Sequence, residues 1–291
     1  MNISFSTRRK WLRGAGALVA GAVLGLPTVV ADVTEGSRRR LRFSITLSNP
    51  ESLLLKDQRF WMYLPVGYSG GQKLLTTEVS VPHRLHNDAF GHTLLELHFD
   101  QFPPLGQKVV GLAIEIAMNS MPHPSANSGD WLGAERFIES EAPGIVALSG
   151  ELRHPDPWKT GRVIFDWVAR NLTYAGYLAD DYGALYALNR RRGDCTEYAY
   201  LATALARACG IPARMVGGYV LDRDAAPRAE DYHNWAELYV DGGWRLLDAQ
   251  KGNWLQPVDQ YVAFRYHRAE MHNPLGSAHR FRVEGGLKVR M

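Results

Sequence analysis

The run RRRGDCTEYAYLATALARACGIPAR, residues 190–214, reads as a helix that begins on a cysteine. Asp194 is an N-cap residue type, and Glu197, three places on, completes a capping-box pattern. Tyr198, Leu201, Ala202, Leu205 and Ala208 recur at helical spacing and give one apolar face to bury. Gly210 supplies a left-handed stop, and Pro212 prevents continuation. Cys195 therefore falls in the first turn, beside unpaired backbone N–H groups and the positive end of the helix dipole. That environment favours thiolate, the nucleophilic form. Taken alone, a cysteine is more often a small buried residue. The choice between core and nucleophile rests on its partners.

Downstream, Tyr232–Val240 (YHNWAELYV) alternates as a strand, and Trp244–Asp248 (WRLLD) returns after Asp241-Gly242-Gly243. A two-residue Gly242-Gly243 loop pairs Asp241 with Trp244 and Glu237 with Asp248. His233, Trp235, Glu237 and Asp248 then share one face, because the side-chain period is two. In that register His233 and Asp248 stand two pairs apart, so contact between them needs a bulge or a different loop. A cysteine nucleophile needs a base to take its proton and a third group to fix the base's tautomer. Cys195, His233 and Asp248 supply that set in order, and the backbone N–H of Cys195 is one oxyanion donor.

The upstream chain has another character. Arg39–Ser48, Arg59–Leu64, Lys73–Val81, Thr93–Phe99 and Gln107–Met118 read as short strands separated by turns, the pattern of a β-sandwich. Asn119–Gly129 (NSMPHPSANSG) reads as a linker. Asp130–Ser140 and Trp158–Asn171 then look helical, Gly217–Leu221 is a short strand, and Val258–Tyr266 is read as a helix before a strand-like end. The fold class is α+β: a β-sandwich-like region over 32–125, then a catalytic region over 126–291.

Residues 1–31 carry Arg8, Arg9, Lys10 and Arg13 ahead of an apolar run, which reads as an export signal cleaved after Ala31. Ser6–Leu12 resembles a twin-arginine signal, with Trp11 where Phe is commoner. Removing this segment takes the formal net charge from +3 to −1, so the basic balance belongs to the signal and nucleic-acid binding is not expected. The expected location is the periplasm, with membrane contact only through the signal. The two cysteines, Cys195 and Cys209, would lie about 21 Å apart along one helix, too far for a disulfide. They give no zinc spacing, and His83, His86, His92 and His98 are scattered, so neither metal nor cofactor is expected.

The chain resembles the transglutaminase-like superfamily, in the form found in exported bacterial proteins, over about 155–255. The motifs are Gly193-Asp194-Cys195, the helix exit Leu205…Gly210-Ile211-Pro212-Ala213-Arg214, Gly218-Tyr219, His233-Asn234-Trp235-Ala236-Glu237 and Gly243-Trp244…Asp248. Asn234 and Ala249 stand where Ala and Pro are commoner. The resemblance implies a papain-like core with Cys195, His233 and Asp248 as a triad, attack on an amide, and a thioester resolved by water (protease or amidase) or by an amine (acyl transfer). Tyr177, Tyr182 and Trp235 are the candidates for the cleft or a second oxyanion donor. The expected partner is a protein or peptide substrate, cell-wall peptides included. The competing reading is a catalytically silent binding or assembly protein on the same fold.

Overall fold

The computed structural model describes residues 37–69, 71–118, 128–276 and 278–291. The export signal expected over 1–31 and most of the expected linker lie outside the described residues.

Seven strands come first: β1 (Arg38–Ser48), β2 (Leu55–Leu64), β3 (Tyr68–Ser69), β4 (Gln72–Val79), β5 (Arg84–Asn87), β6 (Thr93–Phe102) and β7 (Gln107–Met118). In β1, Leu41, Phe43, Ile45 and Leu47 are buried and alternate with exposed Arg40, Arg42 and Ser44, the period-two signature of a strand covered on one face. Next come α1 (Pro143–Leu152), α2 (Pro157–Asn171), β8 (Thr173–Tyr174), α3 (Ala184–Arg190), β9 (Arg192–Gly193) and α4 (Cys195–Ala208). The chain ends with β10 (Ala213–Val220), β11 (Tyr232–Val240), β12 (Gly243–Asp248), β13 (Asn253–Trp254), β14 (Tyr261–Tyr266), β15 (Phe281–Glu284) and β16 (Lys288–Arg290).

These strands form two sandwich sheets, ordered β16-β1-β7-β4-β3 and β15-β2-β6-β5, a third sheet, β13-β12-β11-β10-β14, and a small parallel pair, β8-β9. The tail, read from sequence as part of the second region, pairs instead with the first: β15 lies along β2, and β16 along β1. Apolar residues explain the placement, since Phe281 stacks on Phe60 at 5.8 Å and Leu287 is buried in the sandwich core.

Two helices expected from sequence are not helices. Over 258–266 there is a turn followed by strand β14. Val262 and Phe264 enter the sandwich core, while Tyr261, Ala263 and Tyr266 pack on the other side with Trp235 and Trp244. A strand buried on both faces is a continuous apolar run, and such a run does not declare its period. Over 130–140 a short 3-10 turn, Ser128–Trp131, leads into an extended bridge between Glu135 and Ile138. Here tertiary contacts override local pattern: Trp131 is buried edge-on against Trp244 and Tyr266, and Glu135 pairs with Arg207 at 2.8 Å. Among the described residues, no helix is long and apolar enough to cross a membrane.

Candidate active site

Helix α4 runs through the middle of the second core, against the face of β11 that carries Ala236, Leu238 and Val240. Every residue from Thr196 to Arg207 is buried, so the single apolar face expected from sequence is exceeded. Arg207 is accommodated by its pair with Glu135 and by donating to the carbonyls of Ala213 and Gly133. Glu197 and Asp194 are accommodated by the cap itself. Asp194 accepts from Thr196 N at 2.7 Å, and Glu197 reaches back to Asp194 N at 3.1 Å, completing the predicted capping box. The same carboxylates accept from Leu178 N and Tyr182 N, which ties the segment before α3 to the start of α4.

That cap changes the electrostatics of Cys195. Burial pushes the thiol up to about 12, with the Asp194 carboxylate adding to the shift and hydrogen bonds from Asn234 and Thr196 opposing it; Asp248 raises it as well. Burial and the carboxylates thus oppose the thiolate that the helix dipole favours. A dipole is worth about 0.3–1 kcal/mol at an exposed end, less than the combined effect of burial and carboxylates here. The protonated thiol is the favoured resting form.

His233 meets Asp248: Nε2–H donates to Asp248 Oδ2 at 2.6 Å, with both residues buried. The expected register is corrected here. The hairpin loop is Asp241-Gly242, with Val240 opposite Gly243 and Ala236 opposite Leu247. Both loop residues have positive φ, 49° and 71°, the signature of the two-residue turn that matches strand twist. Moving the loop by one residue shifts the pairing by two. The face assignment survives, and Asp248 comes one pair closer to His233. Asp248 also accepts from Tyr261 OH at 2.7 Å and from Lys251 N at 3.1 Å, so it is anchored from three sides.

Cys195 is brought beside Asn234, the next residue after His233. Asn234 Nδ2 lies 3.9 Å from Sγ and donates to Thr196 Oγ1 at 3.0 Å, and its backbone N–H also bonds the sulfur. Among the described residues, no hydrogen bond joins Sγ to the His233 ring. A cleft of about 960 Å³ opens over Cys195, Thr196, Asn234, Tyr177, Arg136 and Arg280; His233 and Asp248 lie outside its lining.

The other expected residues separate. Tyr177 lines the cleft but is 85% exposed. Tyr182 is not part of the lining and stacks on Tyr186 at 4.6 Å. Trp235 is corrected as a cleft residue: it alternates with Asn234, so it packs on the far face against Tyr261 at 5.0 Å. Glu237 is also structural, held by Arg214 at 2.6 Å. Sequence reading missed Thr196, Tyr261 and the contact role of Asn234. Only Asn234 had a signal, its departure from the usual Ala. Cys209 is free and buried, as expected for a core thiol. Among the described residues, no group of three or more His, Cys, Asp or Glu side chains is placed to hold a metal ion.

The family model of the transglutaminase-like superfamily matches residues 147–249. That span begins inside α1 and ends just past Asp248, so it holds α4, the hairpin and all three residues of the expected triad. The match covers about a third of the chain, and a β-rich region precedes it. A candidate cysteine protease from Cytophaga hutchinsonii superposes with a TM-score of 0.59 at 17% identity, over 88% of this chain and 90% of that one. The periplasmic domain of TgpA from Pseudomonas aeruginosa reaches a TM-score of 0.39 at 16% identity, over 72% of this chain and 88% of that one. The first likeness shows the shared fold; the second is too distant to carry an argument. No curated relative matches the sequence.

Proposed function

We propose that this chain is an exported thiol enzyme that attacks amide bonds of proteins or peptides, with Cys195 as nucleophile, His233 as base and Asp248 as the group that orients the base. The observation behind it is a cysteine at a capped helix start, lining a large cleft, beside Asn234, whose neighbour on the same strand, His233, forms a buried pair with Asp248. Asp248 occupies Nε2–H of His233, which leaves Nδ1 to receive the thiol proton. Sγ then attacks the substrate carbonyl carbon, and the backbone N–H of Cys195 holds the oxyanion. The carbon–nitrogen bond breaks as the imidazolium returns its proton to the departing nitrogen, leaving a thioester on Cys195. Water activated by the same imidazole releases the acid; an amine in its place forms a new amide. Hydrolysis is the favoured outcome, because the cleft is lined by charged side chains such as Arg136, Asp180 and Arg280 and is open to water. The export signal read from residues 1–31 supports a periplasmic location, and peptides, those of the cell wall included, are the substrate class.

A second reading is a catalytically silent binding protein. It is favoured by the raised thiol and by the lack of a bond from imidazole to sulfur. Exposure to p-nitrophenyl acetate, with the modified residue located by mass spectrometry, separates the two. The enzyme reading expects Cys195 to be acetylated and then deacylated, with His233→Ala slowing acylation about 100-fold or more. Acetylation no faster than at Cys209, or unaffected in His233→Ala, would establish the silent reading.

A further inference from the structure

We propose that Asn234 is a further catalytic residue: its side-chain amide donates to Cys195 Sγ and holds the negative charge that appears there when the thiol proton leaves. This rests on the reading above in taking Cys195 as the reacting group. The geometry points one way. Nδ2 lies 3.9 Å from Sγ, and Thr196 Oγ1 accepts from the same Nδ2 at 3.0 Å, which fixes the amide plane. Asn234 is 5% exposed and lines the cleft, so the donor is shielded from water yet next to the reaction.

A second observation is independent of the first. Asn234 Oδ1 is buried and has no hydrogen-bond partner among the described protein atoms. Such an acceptor is unfavourable, and stable folds leave few of them. Alanine, the commoner residue here, would remove that acceptor without opening a large hole. Retention of the amide in the unfavourable arrangement is understandable if its other end has work to do at the sulfur.

The groups around Sγ show what that work is. From its own helix start come Asp194 and Glu197, from β12 Asp248, from β11 His233, and from β8 Tyr174, whose hydroxyl is raised by burial first and then by the charges of Cys195 and Asp194. The charges that shift the sulfur most are thus anionic, Asp194 and then Asp248, while Arg136 and Arg280 stand on the wall of the same cleft. In the step itself the proton moves from Sγ to His233 Nδ1 and the electron pair stays on sulfur. Neutral donors then offset the carboxylates without tying the base in an ion pair. The backbone N–H of Asn234 and the Thr196 side chain already act this way, and the Asn234 amide adds to them.

The test is the pH dependence of Cys195 alkylation by iodoacetamide in wild type, Asn234→Ala and Asn234→Asp, with Cys209 as internal reference and circular dichroism to confirm folding. Asn234→Ala is expected to move the reactivity profile up by about one pH unit and to slow labelling about tenfold at fixed pH, the size of one charge-assisted hydrogen bond. Asn234→Asp keeps the shape and replaces the donor with an anion, so its profile moves higher still. Identical profiles in wild type and Asn234→Ala, or a downward move in Asn234→Asp, would overturn the proposal. The readout needs no turnover. A protein that fails to deacylate but shows the shifts keeps this inference and loses the enzyme reading; one that turns over with unshifted profiles does the reverse.

Discussion

At the scale of single residues, burial decides what charge does, and two groups show it in opposite directions. Cys195 favours its proton because it is largely buried at a helix start capped by the Asp194 carboxylate. His267 refuses one: it lies against the Tyr200 ring at 5.0 Å, its Nε2 is 3.3 Å from the Arg136 carbonyl, and burial, helped by Arg265, pushes it down to about 3. A depressed histidine stabilises the fold above its unfolded value, near 6.5, and that contribution is lost as pH falls, because the unfolded chain then binds a proton that the folded chain does not. Between pH 6.5 and 5, urea unfolding should lose stability with a slope approaching about 1.4 kcal/mol per pH unit from this residue. His267→Gln cannot titrate and should flatten that part of the curve. Equal slopes in the two proteins would show that the ring is not the source. The sequence singles out Cys195, His233 and Asp248 because their chemistry and order are informative together, and the fold joins the last two. Thr196 and Tyr261 carry no such signal. Their roles arise from contacts such as Asn234 with Thr196 and Tyr261 with Asp248, and only packing creates those.

At the scale of elements, α2, α4, β11 and β12 were legible because each has a clear period and a clear stop. The hairpin shows the limit. Asp-Gly and Gly-Gly are both turn dipeptides, and the choice between Asp241-Gly242 and Gly242-Gly243 sets whether His233 comes within reach of Asp248. Strand β14 was misread because both its faces are buried, one in each core. Its neighbour β10 carries the adaptation that lets it come so close. A Cβ on Gly218 would sit 2.0 Å from the Val262 carbonyl oxygen and 3.0 Å from the Trp235 ring, at the point where the β10–β14 register shifts. Gly218→Ala is therefore expected to cost about 3 kcal/mol or more, since the clash is with backbone and not with a flexible side-chain end. A urea midpoint within experimental error of wild type would mean that the two strands can separate freely.

At the scale of the molecule, the sandwich and the transglutaminase-like core are not beads on a string. Tyr219, Val262 and Phe264 from the third sheet are buried in the sandwich core, and β15 and β16 complete the sandwich sheets. Sequence reading separated the two regions because a composition shift marks a boundary along the chain but cannot show a tail that returns across it. Removing residues 281–291 should strip the edges from β1 and β2 and uncover Phe60, lowering the melting temperature of the whole protein and promoting association through the freed strands. Size exclusion and a thermal melt would read both effects; a shortened chain that stays monomeric and melts like the full one would show that the tail is ornamental. The pairing of Thr46 with Arg290 also has a temporal meaning. A contact between residues so far apart cannot form until the later one has emerged, and nonlocal closure slows folding more than it alters final stability. Strand β1 must wait for β16, and until then its outer hydrogen-bonding edge is open to whatever else is at hand.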